Sequence, residues 1–438
     1  MSRKPMERRN FHKETGSISS TETSTRATNR IVDIDPEPFG DGAATRSVDR
    51  RTLLLGAAGA LAAIQLPWPA RAAGDATLLR APDPRFDPVL AHRLQRVLHD
   101  ARSDPSTHFP GAILHVQSPR LGTWTGVVGL GRVTPAAPMR PADRFRAGSI
   151  MKPFIATVVL QLAEEQRLSL DAPLPKVLPV NVVRRFHDSA QISVRMLLDH
   201  RSGIPEWDTP DIDDQIAHHP AKIWTIRVKL DLAAAHPPVF APGTSYKYSN
   251  TDYTLLGLII ERATGHSWRH EVSRRVIGPL RLSGTSLPAP GHRSLPTPYA
   301  HAYAEVDGKN VDQTRVDPSV AGAAGGEALV TTVQDLARFL DALLKGQLFR
   351  HSDTLRQMLA FAPAPDVGGQ VGYGLGIEQR VFPGGIELIG HLGTAAGYTA
   401  YVARLRRQHV TIVSALNWAE DPSPLLVPAV KALAAPHR

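Results

Sequence analysis

The chain has 438 residues, 42% hydrophobic and 21% charged, which is the composition of a globular protein with a large buried core. It contains no cysteine, so thiolate catalysis, cysteine-ligated zinc and structural disulfides are excluded. The formal net charge of +9 is a mild excess that favours anionic surfaces such as a cell wall, and no basic run interleaved with aromatic residues indicates nucleic-acid binding.

The N-terminal region predicts export. Residues 1–45 are polar and without periodicity, which predicts a disordered leader. Residues 46–73 carry the pair Arg50 and Arg51 directly before an apolar run that ends in a small-x-small cleavage site, the layout of a twin-arginine signal peptide. The alternative is an uncleaved membrane helix, but about 14 apolar residues fall short of the roughly 20 that span a bilayer. We expect the export machinery to deliver the mature chain, residues 74–438, to the periplasm or the extracellular space.

Hydrophobic periodicity predicts strands at both ends of the mature chain and helices between them. The predicted elements are a helix at 88–100, strands at 112–116 and 123–129, helices at 154–166, 194–199, 254–263 and 332–344, strands at 374–380, 387–389, 397–405 and 410–416, and a last helix at 424–434. The economical fold is α/β, of the α+β type: an antiparallel sheet built from both chain ends, with flanking helices and an inserted all-helical lobe. The sheet lobe then comprises about 74–148 and 320–438, and the helical lobe about 149–319. Active sites commonly lie where two such lobes meet.

Ser149 and Lys152 form the candidate catalytic pair, in the only Ser-x-x-Lys of the chain. Pro153 is tolerated only in the first turn of a helix, so the pair lies in that turn, three residues apart on one face. A serine hydroxyl becomes a nucleophile when a base takes its proton, and a lysine serves as that base when desolvation or nearby charge lowers its pKa. The non-catalytic alternative is a capping serine beside a solvated lysine.

Two further segments supply partners for this pair. Tyr248 and Asn250 precede the predicted helix at 254–263, and there a phenol can relay a proton while an amide can hold a carbonyl group. The ordinary alternatives are a packed aromatic ring and a helix cap. The segment G-H-L-G-T at 390–394 ends a predicted strand, and such a glycine-containing edge exposes backbone groups to which an extended peptide can add.

The segments G-S-I-M-K, Y-S-N and H-L-G, in this order, resemble the signature elements of serine β-lactamases and penicillin-binding proteins. The pattern is closest to the D-alanyl-D-alanine carboxypeptidases and the class C β-lactamases. Similarity extends to D-H-R-S-G-I at 199–204, A-P-G at 241–243 and G-Y-G-L-G at 372–376, and covers roughly Phe109 to Asn417.

This resemblance implies a serine hydrolase that works through an acyl-enzyme on Ser149. Lys152 would take the serine proton, and Tyr248 would help to return a proton to the departing amine. Asn250 would bind the amide side of the substrate. His391 would polarise or hydrogen-bond Tyr248 and the substrate carboxylate.

At the strand edge the resemblance assigns Gly393 and Thr394 to substrate binding. The backbone N–H groups of Ser149 and Thr394 would form the oxyanion hole, and the Thr394 hydroxyl could contact a carboxylate. No cofactor is implied. The implied partners are a peptidoglycan stem peptide or another small acyl substrate, with β-lactams as pseudo-substrates.

Two positions depart from the carboxypeptidase pattern. Leu392 stands where these enzymes commonly carry Thr or Ser, and Glu378 stands near the place of an arginine that can hold a terminal carboxylate, with Arg380 two residues on and on the same side of the strand. Selectivity for a free D-Ala carboxylate is therefore open. Trp207 and Trp224 could line the acyl pocket, although such residues more often pack in the core.

Motifs of other enzyme classes are missing from the sequence or incomplete. It has neither a G-x-S-x-G elbow nor an H-E-x-x-H zinc motif. His266 and His270 have the spacing of two metal ligands on one helix, but Gly265 ends the preceding helix, so we expect solvated histidines and no metal.

The sequence therefore predicts a D-alanyl-D-alanine carboxypeptidase or penicillin-binding enzyme of cell-wall metabolism. The first alternative keeps the chemistry and changes the substrate: a carboxylesterase or a class C-like β-lactamase. The second is a non-catalytic protein that binds the cell wall or β-lactams. Retention of the serine, lysine, tyrosine and asparagine argues against this second alternative.

Overall fold

The computed structural model describes residues 83–320, 328–365, 370–382 and 384–435. The leader and the signal peptide predicted within residues 1–73 lie outside the described residues. Within the described ranges, no helix is both long enough and apolar enough to cross a membrane.

Strands of the described residues form one large antiparallel sheet and two small two-stranded sheets. They are β1 (Gly111–Ser118), β2 (Gly122–Arg132), β3 (Ala137–Pro138), β4 (Phe145–Arg146), β5 (Tyr303–Val306), β6 (Lys309–Asp312), β7 (Val330–Thr331), β8 (Ala362–Pro363), β9 (Gln370–Tyr373), β10 (Glu378–Phe382), β11 (Ile386–Ala395), β12 (Tyr398–Leu405) and β13 (Val410–Leu416). The large sheet has the order β3-β2-β1-β13-β12-β11-β10-β9-β8, whereas β4 pairs with β7 and β5 with β6. Because β1 pairs with β13, both ends of the domain build one sheet, which confirms the predicted fold class.

The helices lie mostly between β4 and β5 in sequence. They are α1 (Pro88–Ser103), α2 (Met151–Glu164), α3 (Leu174–Val177), α4 (Val180–Val183), α5 (Val194–Leu198), α6 (Pro210–His218), α7 (Ile226–Ala234), α8 (Asn250–Thr264), α9 (Trp268–Val272), α10 (Val333–Leu344), α11 (Ser352–Met358) and α12 (Ser423–Ala434). Pro153 lies in the first turn of α2, where its missing N–H costs no hydrogen bond.

The large sheet separates two hydrophobic cores. On one face Leu114 and Tyr401 pack with α1 and α12, and on the other Ile113 and Val402 pack with α2, α8 and α10. Neighbouring residues of a strand point to opposite faces, so in a sheet covered on both sides a central strand is buried at every position and is mostly apolar. This explains why every residue of β13 is buried.

The strand predicted at 374–380 is wrong in its first four residues, which form a turn between β9 and β10. The Gly374 N–H donates to the Ile377 carbonyl at 2.9 Å, and Gly376 has a left-handed φ of 80°. Leu375 and Ile377 are nevertheless buried. The apolar character of this segment therefore reflects a turn packed in the core.

The G-H-L-G-T segment at 390–394 was expected to end a strand, but it lies within β11, which continues to Ala395. The pairing of β10 with β11 stops where Glu378 faces Gly390. The opposite edge of β11 pairs with β12 from Leu388 to Ala395. From His391 onward, β11 therefore has one edge that β10 does not cover.

Candidate active site

Ser149 lies in the helical turn that leads into α2, pressed against β11. Gly148 has a left-handed φ of 60°, and a Cβ there would collide with the Thr394 nitrogen. A Cβ at Gly393 would likewise collide with the Ala147 carbonyl. Glycine at both positions lets the two backbones touch, which brings the Ser149 amide to the open edge of β11.

The side chains of Ser149 and Lys152 are in contact. Lys152 Nζ lies 3.0 Å from Ser149 Oγ, and the Lys152 side chain is 0% exposed. The rings of Tyr248 and Tyr253 lie 4.6 and 5.4 Å from the same nitrogen. A hydroxyl and an amine at this distance can exchange a proton directly. The two rings help to bury the lysine amine, whereas Ser149 is half-buried.

Tyr248 and Asn250 converge on this pair from the start of α8. The Tyr248 hydroxyl hydrogen-bonds the Ser149 side chain, and burial raises the pKa of Tyr248 well above its usual value. Tyr248 is therefore a neutral phenol, able to donate a proton. Asn250 Oδ1 accepts a hydrogen bond from Lys152 Nζ at 2.6 Å. Its amide oxygen thus faces the lysine and its NH₂ group is left for a substrate carbonyl.

His391 is placed differently from the expectation. Its Nδ1 donates to the Leu392 carbonyl, so Nε2 accepts the Tyr373 hydroxyl at 3.0 Å. The ring centroids of His391 and Tyr248 are 6.5 Å apart. We expected His391 to polarise or hydrogen-bond Tyr248, but its hydrogen-bond partner is the Tyr373 hydroxyl. Burial lowers the pKa of His391 to about 4, so the ring is neutral at pH 7.

Glu378 and Arg380 lie on the same side of β10 and neutralise each other. Arg380 Nε donates to Glu378 Oε2 at 3.0 Å. The other carboxylate oxygen of Glu378 is 3.7 Å from His391 Nδ1. The charge of Arg380 is therefore already balanced within the protein, which reduces its attraction for a substrate carboxylate.

Glu206 is a site residue that the sequence analysis missed. It accepts the Asn250 N–H through Oε2, and the N–H groups of Trp207 and Asp208 through Oε1 at 2.8 and 3.2 Å. Burial, with the neighbouring Asp208 charge, raises the pKa of Glu206 to about 7. The site therefore has an acidic side, where a carboxylate changes charge near neutral pH.

The β-lactamase family model matches residues 86–435. The chain belongs to the β-lactamase family. This result confirms the resemblance drawn from the three segments, and the proteins of this family named below include an esterase and an amidohydrolase.

Three known proteins of the β-lactamase family illustrate the similarity. The chain is 24% identical to penicillin-binding protein 4* of Bacillus subtilis, over 67% of this chain and 65% of the relative. It is 28% identical to esterase EstB of Burkholderia gladioli, over 56% of this chain and 65% of the relative, so it matches slightly less than two thirds of each. A crystal structure of a D-stereospecific amidohydrolase from Streptomyces sp. superposes with a TM-score of 0.68 and 34% identity, covering 77% of this chain and 97% of that one.

Two tryptophans proposed for the pocket of this β-lactamase-family protein lie in its core. Trp207 and Trp224 are 2% and 3% exposed, with ring centroids 6.0 Å apart. The buried Lys229 Nζ lies 4.6 Å from the Trp207 ring. The backbone N–H of Trp207 donates a hydrogen bond to the Glu206 carboxylate and so helps to fix its position.

The histidine pair set aside in the sequence lies on the surface of the helical lobe. α8 ends before Gly265, which has a left-handed φ of 76°, and His266 and His270 are exposed. Their ligand nitrogens lie within 4.8 Å of each other and of a Glu271 carboxylate oxygen. Glu271 is ion-paired to two arginines, whose positive charges oppose cation binding there.

Proposed function

We propose that the protein is a serine amidohydrolase that forms an acyl-enzyme on Ser149 and cleaves small amides or esters whose acyl part carries an amino group. The observation that carries the proposal is the 3.0 Å contact between Lys152 Nζ and Ser149 Oγ. The Tyr248 phenol bonds the same hydroxyl, so the nucleophile has one group to take its proton and a second to pass a proton on.

Acylation begins when Ser149 Oγ attacks the substrate carbonyl carbon and its proton moves to the neutral Lys152 amine. The carbonyl oxygen becomes an oxyanion, held by the backbone N–H groups of Ser149 and Thr394. As the carbon–nitrogen bond breaks, Tyr248 gives its proton to the leaving amine and regains one from Lys152. Water then attacks the ester carbon and gives its proton to the same groups, which releases the acid and restores Ser149.

Charge around the site favours a substrate with an amino group. Glu206 bonds the backbone of Asn250, the residue whose NH₂ group we assign to the substrate carbonyl, so its carboxylate lies close to the acyl group. Arg380 is paired with Glu378, and His391 is neutral at pH 7. An ammonium is therefore stabilised more than a carboxylate. The likeness to a D-stereospecific amidohydrolase supports a D-configured acyl residue.

The open edge of β11 favours a second candidate, a D-alanyl-D-alanine carboxypeptidase that also binds β-lactams. Beyond Gly390, β11 has no pairing with β10, so an extended peptide could add there as a strand. The Thr394 side chain is half-buried at this edge and could meet the terminal carboxylate. The carboxylesterase alternative shares the same acyl-enzyme and differs only in the leaving group.

One set of assays separates these substrates. The purified mature chain is incubated with D- and L-alanine p-nitroanilide, a p-nitrophenyl ester without an amino group, a D-Ala-D-Ala peptide and a penicillin, with Ser149→Ala as the control. Intact mass locates any adduct, and released product ranks the substrates. We expect turnover of the D-anilide above the L-anilide. Turnover of the peptide alone would favour the carboxypeptidase, and equal rates in Ser149→Ala would contradict the acyl-enzyme.

We also propose export through the twin-arginine route, on the strength of Arg50 and Arg51 before the apolar run. The test is cell fractionation of a bacterial host expressing the full chain or its double Lys variant at these positions. Export of the parent and retention of the variant are expected, because that route reads the arginine pair. Equal export of both would contradict the proposal.

A further inference from the structure

The buried His200 ring packs against the phenol ring of Tyr248, and no step of the proposed acyl transfer uses His200. It belongs to the D-H-R-S-G-I segment that follows α5. Its ring centroid lies 4.4 Å from that of Tyr248, 4.9 Å from Tyr373 and 5.2 Å from Tyr253. The residue is 0% exposed and has a left-handed φ of 60°, a conformation that non-glycine residues rarely adopt.

His200 holds the backbone on both sides of Tyr248. The Ser249 N–H donates to His200 Nδ1 at 3.2 Å, and the Lys247 N–H donates to the His200 carbonyl at 3.1 Å. Ser249 is also the residue between Tyr248 and Asn250. The two hydrogen bonds therefore anchor the peptide unit directly after Tyr248 and the one that precedes Lys247, so that the backbone around Tyr248 rests on a single residue.

The bond from Ser249 determines where the protons are. Because Nδ1 accepts a backbone N–H, it carries no proton itself, and the proton of the neutral ring is on Nε2. Asp252 Oδ2 lies 3.3 Å from the same Nδ1, and this contact is a hydrogen bond only if Asp252 is protonated. The Ser202 hydroxyl donates to Asp252 Oδ1 at 2.6 Å. This arrangement of protons is compatible with all three contacts if Nδ1 shares its lone pair between two donors, and it leaves the buried Nε2 proton without a partner among the described residues.

The charges that face these two groups agree with that arrangement. Burial lowers the pKa of His200 well below 6.5, and an ammonium form of Lys152 would lower it further. Burial also raises the pKa of Asp252 well above its usual value, the Ser202 bond opposes the rise, and the charges of Glu206 and Asp199 add to it. Both shifts favour the neutral form of the group.

We propose that His200 is a positioning residue for acyl transfer, which as a neutral imidazole protonated on Nε2 holds Tyr248 and Asn250 at Ser149 through their shared backbone. The proposal rests on the acyl-enzyme chemistry proposed above. It differs from a catalytic triad, in which an ionised carboxylate orients a histidine that accepts a proton. Here the carboxyl group is a donor, and the histidine moves no proton.

The kinetic test compares three variants at this point in the fold. His200→Leu removes the acceptor, and we expect kcat to fall about 100-fold with little change in KM, because a displaced phenol no longer reaches the serine. His200→Asn keeps an acceptor where Nδ1 lies and tolerates the left-handed backbone, so it should restore kcat to within about tenfold of the parent. Asp252→Asn keeps every hydrogen bond of a protonated carboxyl group, so its pH profile should match that of the parent.

His409→Leu is the matched control, because His409 also has a left-handed φ, of 54°, but lies exposed in the turn between β12 and β13. If His200→Leu fails to fold while this control folds, the proposal is tested with His200→Asn and Asp252→Asn alone. A large loss of kcat in Asp252→Asn, with a shifted pH profile, would show that Asp252 is ionised and would overturn the proposal. Equal kcat in His200→Leu and the parent would also overturn it.

A second measurement does not depend on turnover. In ¹⁵N-labelled protein, the imidazole nitrogen shifts of His200 should report a neutral ring protonated on Nε2 from pH 5 to 9. An imidazolium, or a ring protonated on Nδ1, would overturn the proposal even in an active enzyme. Failure of the proposed function would give a different result, because the parent protein would then form no adduct on Ser149 with any of the substrates.

Discussion

Asn250 Oδ1 accepts a 2.6 Å hydrogen bond from Lys152 Nζ, so the amine that faces the nucleophile is held by a neutral amide. A carboxylate in that place would stabilise the ammonium form of the lysine, which cannot accept the serine proton. An amide orients the amine without adding a negative charge. The choice of Asn at the start of α8 therefore bears on the proton transfer as well as on substrate binding.

Asn250→Asp tests this relationship, because it changes the charge and preserves the shape. We expect kcat/KM at pH 7 to fall about 100-fold or more, a larger loss than in Asn250→Ala, because the new carboxylate favours the ammonium by about 2–3 pKa units. The rate of Asn250→Asp should rise again with pH as the amine loses its proton. Rates and pH profiles measured on a p-nitrophenyl ester check both points. A smaller loss in Asp than in Ala would contradict the argument.

Glu206→Gln tests the acidic side of the site through substrate and pH. The parent should gain kcat/KM for an aminoacyl substrate as the pH rises through about 7, because the Glu206 carboxylate forms there. The variant should lack that step and show a KM about tenfold higher, the size of one lost charge-assisted hydrogen bond. An ester without an amino group is the control and should respond little. Identical profiles for the two substrates would argue against an ammonium subsite.

The same variant should lose less stability than the parent as the pH rises through 7. The pKa of Glu206 is raised from 4.5 to about 7 in the folded protein, so the folded state binds the proton more tightly than the unfolded chain. Its contribution to stability is present below pH 4.5 and is lost as the pH rises through 7. Urea unfolding at pH 5 and pH 8 should show a smaller decline in Glu206→Gln than in the parent. An equal decline would show that Glu206 does not titrate in this range.

Glu378→Gln should release Arg380 for a substrate carboxylate. The ion pair at 3.0 Å now satisfies the guanidinium, and removal of the carboxylate charge leaves a cation near the open edge of β11. We expect turnover of a D-Ala-D-Ala peptide, relative to its C-terminal amide, to rise about tenfold. The double variant with Arg380→Gln should lose this gain. If the ratio does not change, Arg380 does not reach the substrate.

Gly393→Ala should damage the oxyanion hole without touching a catalytic side chain. The added methyl group would collide with the Ala147 carbonyl and push the Ser149 turn away from β11. We expect kcat to fall about 100-fold, the usual loss when one oxyanion donor is displaced. Gly278→Ala is the control, because its methyl group would meet a single carbonyl at 3.2 Å. Activity near that of the parent in Gly393→Ala would mean that the turn is not held by this contact.

Local chemistry explains why the sequence alone predicted part of the site. Ser149 and Lys152 share one helical turn, and Pro153 marks where that turn must be, so their contact follows from spacing. The strands β12 and β13 were predictable because most of their residues are apolar and polar turns bound them. These features depend on neighbours in sequence.

The residues that the sequence analysis missed depend on distant parts of the chain. Glu206 lies in a loop without a motif, and its role is visible only when α8 brings Asn250 to it. The Tyr373 hydroxyl donates a hydrogen bond to His391, which lies on another strand. We expected His391 to polarise or hydrogen-bond Tyr248, and its observed hydrogen-bond partner is Tyr373, because the motif specifies the residue types whereas tertiary packing determines the partner.

The position of β11 in the sheet links catalysis to the two ends of the mature chain. The strand that carries Gly393 and Thr394 is held by β12, β12 by β13, and β13 by β1, while α1 and α12 cover the far face. Removing α12 would uncover that face and loosen the row of strands on which the oxyanion site rests. A truncation of the last helix should therefore disable the enzyme, although none of its residues meets the substrate.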